Sequence, residues 1–253
     1  MKTQLLLVSA VLASQPVWAD DATVFTVGLR TWSNSWSTWD AYPPLTVGNF
    51  FLPGGAENFT SGNQAVLIPS LSVRSGDFML SASRFVKKRY SFTGNDGGFS
   101  AKREETDVHG GYYVLPTLAV SVGYKEVKQD FGGGAQFKYS GPILGVVGSA
   151  PLTRGFSLYG NVGYGRVNGR FPGDGADASG QTKFNADYWL GEAGLAYSFE
   201  GMGAAKAMSV TLGYRNQVLA TGGYRIATGP SATRATELRD TTEGLALGLS
   251  MSF

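Results

Sequence analysis

The sequence predicts an all-β fold, a transmembrane antiparallel up-and-down β-barrel of about ten strands, with eight strands as the alternative. Apolar residues alternate with small or polar residues in many short segments, as in strands that have one apolar face. Beyond the N-terminal segment, no apolar run reaches the roughly 18 residues that a membrane-spanning helix needs. The connections between the segments are alternately short and long, as they are in barrels that cross a membrane.

The N-terminus predicts export from the cytoplasm. Lys2 supplies a positive charge, and the apolar stretch from Leu5 to Leu12 is too short to span a bilayer as a helix. Ala19 provides the small residue that a signal peptidase requires. We therefore expect a signal peptide at residues 1–19, followed by a single barrel domain at residues 20–253. The alternative is a buried strand or helix of a cytoplasmic domain.

The first five strands follow from local alternation and turn residues. In the second of them Pro69 weakens the ladder, because proline has no N–H to donate. The fifth has the clearest alternation in the middle of the chain, with Leu118, Val120 and Val122 on one face. These five predicted strands are residues 24–32, 65–74, 78–92, 103–115 and 117–128.

The last five strands add outward aromatic residues near both ends. Phe156 and Tyr164 are eight residues apart, and Trp189 and Phe199 are ten apart. A tilted strand rises about 2.5 Å per residue along the membrane normal, so these separations match an apolar band of roughly 25 Å between two aromatic girdles. A secreted β-sandwich, the soluble alternative, has no need of that spacing. These predicted strands are residues 136–149, 156–166, 185–199, 208–219 and 244–253.

The C-terminus carries the most informative segment. Leu245, Leu247, Leu249 and Met251 alternate with small or polar residues, and the chain ends on Phe253. This segment resembles the last strand of Gram-negative outer-membrane β-barrel proteins. The resemblance implies that Phe253 is an assembly signal read by the barrel-assembly machinery. It also implies an outer-membrane location, with outer-membrane lipid and lipopolysaccharide as further partners. An even strand count places both termini in the periplasm.

Composition narrows the class of function. The chain has no cysteine, so it has neither disulfides nor the lipid anchor of a bacterial lipoprotein. Removal of Lys2 from the 21 basic residues leaves 20 against 19 acidic residues, which gives no reason to expect nucleic-acid binding. With a single histidine and no cysteine, the usual zinc sites are excluded. We expect no metal and no cofactor.

The polar faces of the strands predict a network of ions inside the barrel, since buried charges must be paired. If Phe199 faces Met208 across a short turn, the antiparallel register places Glu192 opposite Arg215. A slip of one residue turns both side chains outward. The predicted lumen network consists of Arg30, Arg84, Lys125, Glu192 and Arg215.

Glu105, Asp107 and His109 are spaced two residues apart, so all three ionisable side chains lie on one face of the fourth strand. We expect this triplet near the extracellular end of the strand. A carboxylate beside a histidine can orient the imidazole for general-base catalysis. The triplet resembles in kind the acidic residues and histidine of omptins, ten-stranded outer-membrane proteases, although no second acidic pair with matching spacing occurs. The alternative is a structural ion network that closes on Lys125 or Arg84.

The longest predicted loop, Ser33–Asn63, is rich in aromatic residues. Trp36 and Trp39 are its candidates for an exposed contact surface. The alternative is that they fold over the barrel mouth and pack on its rim.

The sequence therefore predicts an integral outer-membrane barrel, not an enzyme, with a structural or surface-interaction role through its extracellular loops. The first alternative is a narrow porin-like channel for small solutes. The second is an omptin-like surface hydrolase.

Overall fold

The computed structural model describes the backbone of residues 6–7, 15–16, 23–42, 44–47, 50–94, 97–132, 136–171, 182–229 and 232–253. The predicted signal peptide lies outside these residues, apart from a two-residue ladder between Leu6–Leu7 and Gln15–Pro16, and it stays a prediction. A second small ladder joins Leu45–Val47 to Phe50–Leu52. The described residues contain no helix that is long and apolar enough to cross a membrane.

Ten antiparallel strands form a closed ring, which confirms the predicted fold and decides for ten strands over eight. Each strand pairs with the next in the chain, and the last pairs with the first from Glu237↔Ala41 to Ser252↔Thr26. The strands are β1 (Val24–Tyr42), β2 (Gly55–Ser61 and Gln64–Ser75), β3 (Phe78–Gly94), β4 (Gly97–Leu115), β5 (Leu118–Asp130), β6 (Gln136–Thr153), β7 (Phe156–Phe171), β8 (Thr182–Glu200), β9 (Ala207–Gly229) and β10 (Ala232–Ser252).

The two ends of the barrel differ. The end that carries residues 24 and 253, here the terminus end, has tight turns, and glycines take the left-handed conformation at Gly76 (φ 56°) and Gly155 (φ 86°). The opposite end, here the loop end, carries the connection from Tyr42 to Gly55 and the one between β7 and β8. The predicted alternation of short turns and longer loops holds for these connections. The predicted longer loops after the third and ninth strands are instead two-residue connections, from Gly94 to Gly97 and from Gly229 to Ala232, because these strands extend further than predicted.

An apolar band surrounds the outside of the terminus-end half. It runs from Phe156 to Tyr164 on β7 and from Leu245 to Phe253 on β10, with the apolar side chains pointing outward. The ring centroids of Phe156 and Tyr197 are 4.6 Å apart at its lower edge. The Tyr164 and Trp189 centroids are 4.4 Å apart at its upper edge. The band is therefore the membrane-facing surface, bounded by two aromatic girdles.

Several strands are longer than the sequence patterns predicted. β1 continues to Tyr42 instead of ending at Trp32, and β9 continues to Gly229 instead of ending at Leu219. About 9–11 residues suffice to cross a bilayer, whereas β1 has 19 and β9 has 23. The barrel therefore extends well beyond the membrane at the loop end. Much of the predicted loop Ser33–Asn63 is strand.

Candidate functional site

The lumen contains most of the ionisable residues that the sequence singled out, because they occupy the inward positions of alternating strands. The predicted register is confirmed, with Phe199 opposite Met208 and Glu192 opposite Arg215. Five of the predicted residues are buried in the lumen, and they belong to two ion clusters at mid-height. These five are Arg30, Glu105, Lys125, Glu192 and Arg215.

The first cluster is centred on Glu192. Its Oε2 accepts hydrogen bonds from Nη1 of Arg30 at 2.9 Å and from Nη1 of Arg215 at 3.2 Å, and its Oε1 accepts one from the Tyr159 hydroxyl at 2.9 Å. Tyr159 can lie flat against the wall because Gly194 and the glycine at position 213 have no side chains to collide with its ring. The carboxylate is fully satisfied, as a buried charge must be.

The second cluster alternates acids and bases. Lys125 Nζ donates to Oε2 of Glu105 at 2.6 Å and to Oδ1 of Asp107 at 2.9 Å. Arg103 Nε donates to Oε1 of Glu105 at 2.7 Å. Arg103 was not among the predicted site residues, although it shares the inward parity of Glu105 and Asp107 and could have been found by that signal. The amide of Gln217, with its nitrogen toward Glu105 and its oxygen toward Arg215, joins the two clusters.

Several hydrogen bonds cross the lumen between strands that are not neighbours. Arg30 on β1 reaches Glu192 on β8, and Nη1 of Arg103 on β4 reaches Oγ1 of Thr242 on β10 at 2.6 Å. Gln129 on β5 donates to Oδ2 of Asp240 on β10 at 2.8 Å. These contacts join side chains from opposite walls, so this layer spans the lumen.

An aromatic layer spans the lumen a second time, above the ions. The ring of Trp36 on β1 lies 5.7 Å from that of Phe131, which follows β5, and this contact again crosses the barrel. Phe92 stacks on Phe99 with their centroids 4.6 Å apart. The connected rings of this layer are Trp36, Phe59, Tyr90, Phe92, Phe99, Phe131, Phe137, Tyr139 and Phe184.

The two tryptophans predicted as loop contacts lie on β1. Trp36 is fully buried in the aromatic layer, so its prediction as an exposed contact is wrong. Trp39 has the opposite parity and lies on the outer face, where the Arg239 guanidinium is 5.7 Å from its ring centroid. Each side chain has a fixed face because β1 continues past Trp32.

Arg84 does not join the lumen network. It is opposite Thr106 on the outer face, where Nη2 lies 2.9 Å from Oε2 of Glu104. The neighbouring Phe85 takes the inward position and packs in the core beside Trp32. The register of β3 thus places Arg84 on the outer face beside Glu104, where the pair is exposed to water.

His109 and Asp107 lie lower in the barrel than expected. His109 is opposite Ser81 and Gly123, closer to the terminus end of β4 than to its loop end, and its Nε2 is 3.9 Å from Oδ1 of Asp107. A cavity of about 50 Å³ adjoins both side chains and Arg215, which is room for a few water molecules. The triplet therefore lies further from the loop end of β4 than the sequence predicted, because β4 begins six residues earlier than the sequence indicated.

Two buried groups above the membrane band have shifted pKa values. Burial raises the pKa of the Tyr90 hydroxyl, which donates to Oδ1 of Asn34 at 2.7 Å. Burial also raises the pKa of Asp240, and the hydrogen bond from Gln129 offsets only part of that effect. Among the described residues no cluster of three or more acidic or histidine side chains could hold a metal ion.

Solved structures share this architecture. The outer membrane protease OmpT from Escherichia coli matches with a TM-score of 0.55 and 12% identity, over 91% of this chain and 97% of that chain. The chain has the fold of the Gram-negative outer-membrane β-barrels.

Two further matches are more distant. The outer membrane protein AlkL matches with a TM-score of 0.42 and 14% identity, over 90% of each chain. The toluene transporter TodX from Pseudomonas putida matches with a TM-score of 0.30 and 11% identity, over 92% of this chain and 90% of that chain. No family model and no curated protein sequence matches the chain.

Proposed function

We propose that the protein is a closed, non-catalytic barrel of the outer membrane that acts at the cell surface through its loop-end extension. Both termini then lie in the periplasm, where the tight turns are expected, and the longer connections face outward. The partners in this proposal are lipopolysaccharide, outer-membrane lipid and the barrel-assembly machinery. The observation that supports it is that the ion layer and the aromatic layer each span the lumen.

The two layers favour a surface role over a channel. A solute that crossed the barrel would have to displace the ring contact between Trp36 and Phe131 and then the ion pair between Arg30 and Glu192. Breaking a buried pair of this kind costs about 3–5 kcal/mol when one partner is lost. Small barrels generally have lumens that side chains fill.

The geometry gives little support to the hydrolase alternative. His109 lies below the aromatic layer at the height of the membrane band, and the carboxylate of Asp107 is engaged by Lys125. A surface protease needs its acids and its base at an open mouth where a peptide can enter. If peptide hydrolysis by the purified protein were abolished by His109→Ala, that result would support the hydrolase instead.

Planar-bilayer recordings test the closed lumen. We expect no conductance steps from the wild-type protein. The triple variant W36A/F92A/E192Q, which thins both layers, should conduct. Stable steps from the wild-type protein would overturn the proposal in favour of a channel. Insertion is verified independently by flotation of both proteins with the liposomes.

Cysteine labelling in intact cells tests the orientation, because the chain contains no native thiol. Gln136→Cys places a thiol at an exposed site of the loop end, and Met202→Cys places one in the exposed turn between β8 and β9. A membrane-impermeant maleimide should label only the first variant in intact cells and both in lysed cells. Labelling of Met202→Cys alone in intact cells would show that the barrel is inverted.

A further inference from the structure

A groove lies on the outer surface of β7, β8 and β9, directly above the upper aromatic girdle. It encloses about 430 Å³, and its polar walls are formed by Arg166, Lys183, Asn185 and Asp187. Phe184 of the aromatic layer, Ala186 and Ala220 complete its lining, while its polar side chains lie on the outer face.

The basic groups of the groove have little internal compensation. Within the described residues no carboxylate forms an ion pair with Arg166 or Lys183. The one acid in the groove, Asp187, is opposite Arg166 in the β7–β8 register without a salt bridge to it, and it accepts a hydrogen bond from the Tyr164 hydroxyl at 3.1 Å. Arg170 is opposite Lys183 in the β7–β8 register and adds a third positive charge at the upper edge. The groove is therefore net positive.

The neighbouring strands show a different arrangement at a similar height. On β3 to β6 three basic side chains form ion pairs with two glutamates. Lys138 Nζ lies 2.6 Å from Oε2 of Glu126, and Lys128 Nζ lies 2.9 Å from Oε1 of the same residue. Glu104 pairs with Arg84 in the same way. Lys87, Arg89 and Lys102 on β3 and β4 also form no ion pair within the described residues, so the groove is distinguished by its concave shape as well as by its unpaired charge.

The depth of the groove matches lipid headgroups. Arg166 is two residues above Tyr164, or about 5 Å along the membrane normal for a tilted strand. Lys183 is six residues above Trp189, or about 15 Å, and its long side chain can reach down toward the girdle. Basic groups just outside an aromatic belt lie where lipid phosphates are found.

We infer that this groove binds the phosphate groups of lipopolysaccharide in the outer leaflet. Arginine and lysine at two heights suit a ligand with more than one phosphate, and arginine binds phosphate through a fork of N–H donors. The inference deepens the proposed function and rests on it in one respect, since lipopolysaccharide reaches the groove only if the loop end faces outward.

Lipid-binding measurements on the protein in detergent test this site. The probes are bis-phosphorylated lipid A, dephosphorylated lipid A, phosphatidylglycerol and inorganic phosphate, each followed by native mass spectrometry. We expect bis-phosphorylated lipid A to bind most tightly and R166Q/K183Q to weaken it about tenfold or more, the usual loss for charge-assisted hydrogen bonds. The control K128Q/K138Q removes the same charge from the paired patch and should change the affinity less than twofold.

Three outcomes would overturn the inference. Equal losses in R166Q/K183Q and K128Q/K138Q would indicate general charge attraction, and unchanged binding in R166Q/K183Q would place the site elsewhere. Inorganic phosphate or phosphatidylglycerol binding as tightly as lipid A would remove the assignment to lipopolysaccharide. The cysteine labelling described above reports orientation without any lipid, so failure of the groove and failure of the proposed function give different results.

Discussion

Glu192 shows how a single residue holds the barrel together across its width. Its carboxylate binds two arginines and a tyrosine that come from three other strands, β1, β7 and β9. An exposed pair such as Arg84 and Glu104 on the outer wall has the same chemistry, but it remains in contact with water. The burial of an ion pair, more than its geometry, determines how far its loss lowers the free energy of unfolding.

We therefore expect Glu192→Gln to lower the free energy of unfolding by about 3–5 kcal/mol, because it leaves Arg30 and Arg215 buried without a counter-charge. Glu104→Gln, the matched control on the outer wall, should cost about 0–1 kcal/mol. Reversible urea unfolding in lipid vesicles measures both values. Similar costs for the two variants would contradict the buried network.

Asp240 gives a pH-dependent prediction. Its pKa in the folded protein is raised by burial above the unfolded value, so folding takes up a proton between the two pKa values. The contribution of Asp240 to stability is therefore most favourable below the unfolded pKa. It is lost as the pH rises through the folded pKa.

The change Asp240→Asn removes this ionisation while an amide oxygen can still accept from Gln129. We expect the variant to be more stable than the wild type at pH 7 and to lose that advantage at low pH, as followed by urea midpoints across the pH range. Asp77→Asn, in an exposed turn, is the control and should show no such crossover. A variant less stable than the wild type at pH 7 would contradict the prediction.

Prediction from the sequence succeeded for residues whose odd or even position in a strand alone decides whether the side chain points inward or outward. The Glu192–Arg215 pair followed from one turn and an antiparallel register, because each step of two residues keeps the side chains on the same face. Arg84 was misplaced because its strand has a register irregularity between Phe85 and Lys88 and no clear alternation. The cross-lumen partner of Glu192, Arg30, could not be predicted, since no local pattern reports which strands face each other across a barrel.

Individual strands carry their apolar side chains on the outer face in the lower half of the barrel and on the inner face in the upper half. On β1, Phe25 and Leu29 point outward within the band, whereas Trp32 and Trp36 point inward above it. The same change occurs on β6, where Leu144 is outward and Tyr139 is inward. Lipid surrounds the lower half and water the upper half, so the apolar face must change sides. The alternation of apolar and polar residues therefore shifts by one position along the strand. Because such a shift looks like the end of a strand in the sequence, the predicted strands were too short.

The band predicts a depth-dependent effect of charge on β9. Leu212 points outward within the band, and Asn216 points outward just above it beside Glu243. We expect Leu212→Arg to lower the free energy of folding into liposomes by about 2 kcal/mol and Asn216→Arg by less than about 1 kcal/mol. Equal costs would mean that the band does not face lipid at position 212.

The last strand gives a prediction about assembly in cells. The backbone of Phe253 exchanges two hydrogen bonds with Phe25, at 2.9 Å and 3.3 Å, and so completes the β10–β1 seam. Phe253→Ala keeps these backbone bonds and removes only the aromatic ring. We expect it to lower the outer-membrane level of the protein several-fold while refolding in vitro stays within about 1 kcal/mol of wild type, in the range of an ordinary surface substitution.

Phe156→Ala is the matched control for Phe253→Ala, since Phe156 is also an outward aromatic residue at the terminus end. Quantitative blots of outer-membrane fractions should show normal levels for Phe156→Ala. Equal depletion of both variants would mean that the girdle, and not the terminal residue, is what assembly requires.

The whole molecule combines a membrane-spanning lower half with an upper half whose core resembles that of a soluble protein. The ion layer joins the halves, and the aromatic layer forms a core around Trp36 and Phe92. The sequence predicted the lower half well, because lipid imposes a strict alternation on every strand. It did not predict the upper core, since those aromatic residues come from distant parts of the chain and meet only when the ring closes.

Ring closure leads to a prediction for the intact protein. All ten strands are paired on both sides and β10 closes on β1, so there is no free strand edge from which unfolding can begin. We expect the folded protein to resist sodium dodecyl sulfate at room temperature and to migrate differently on a gel before and after boiling. Circular dichroism should report β-structure in the unboiled sample only. Identical migration of both samples, or a native protein that stays dispersed without detergent, would contradict the closed barrel, because lipid-facing residues such as Leu247 and Leu249 need an apolar environment.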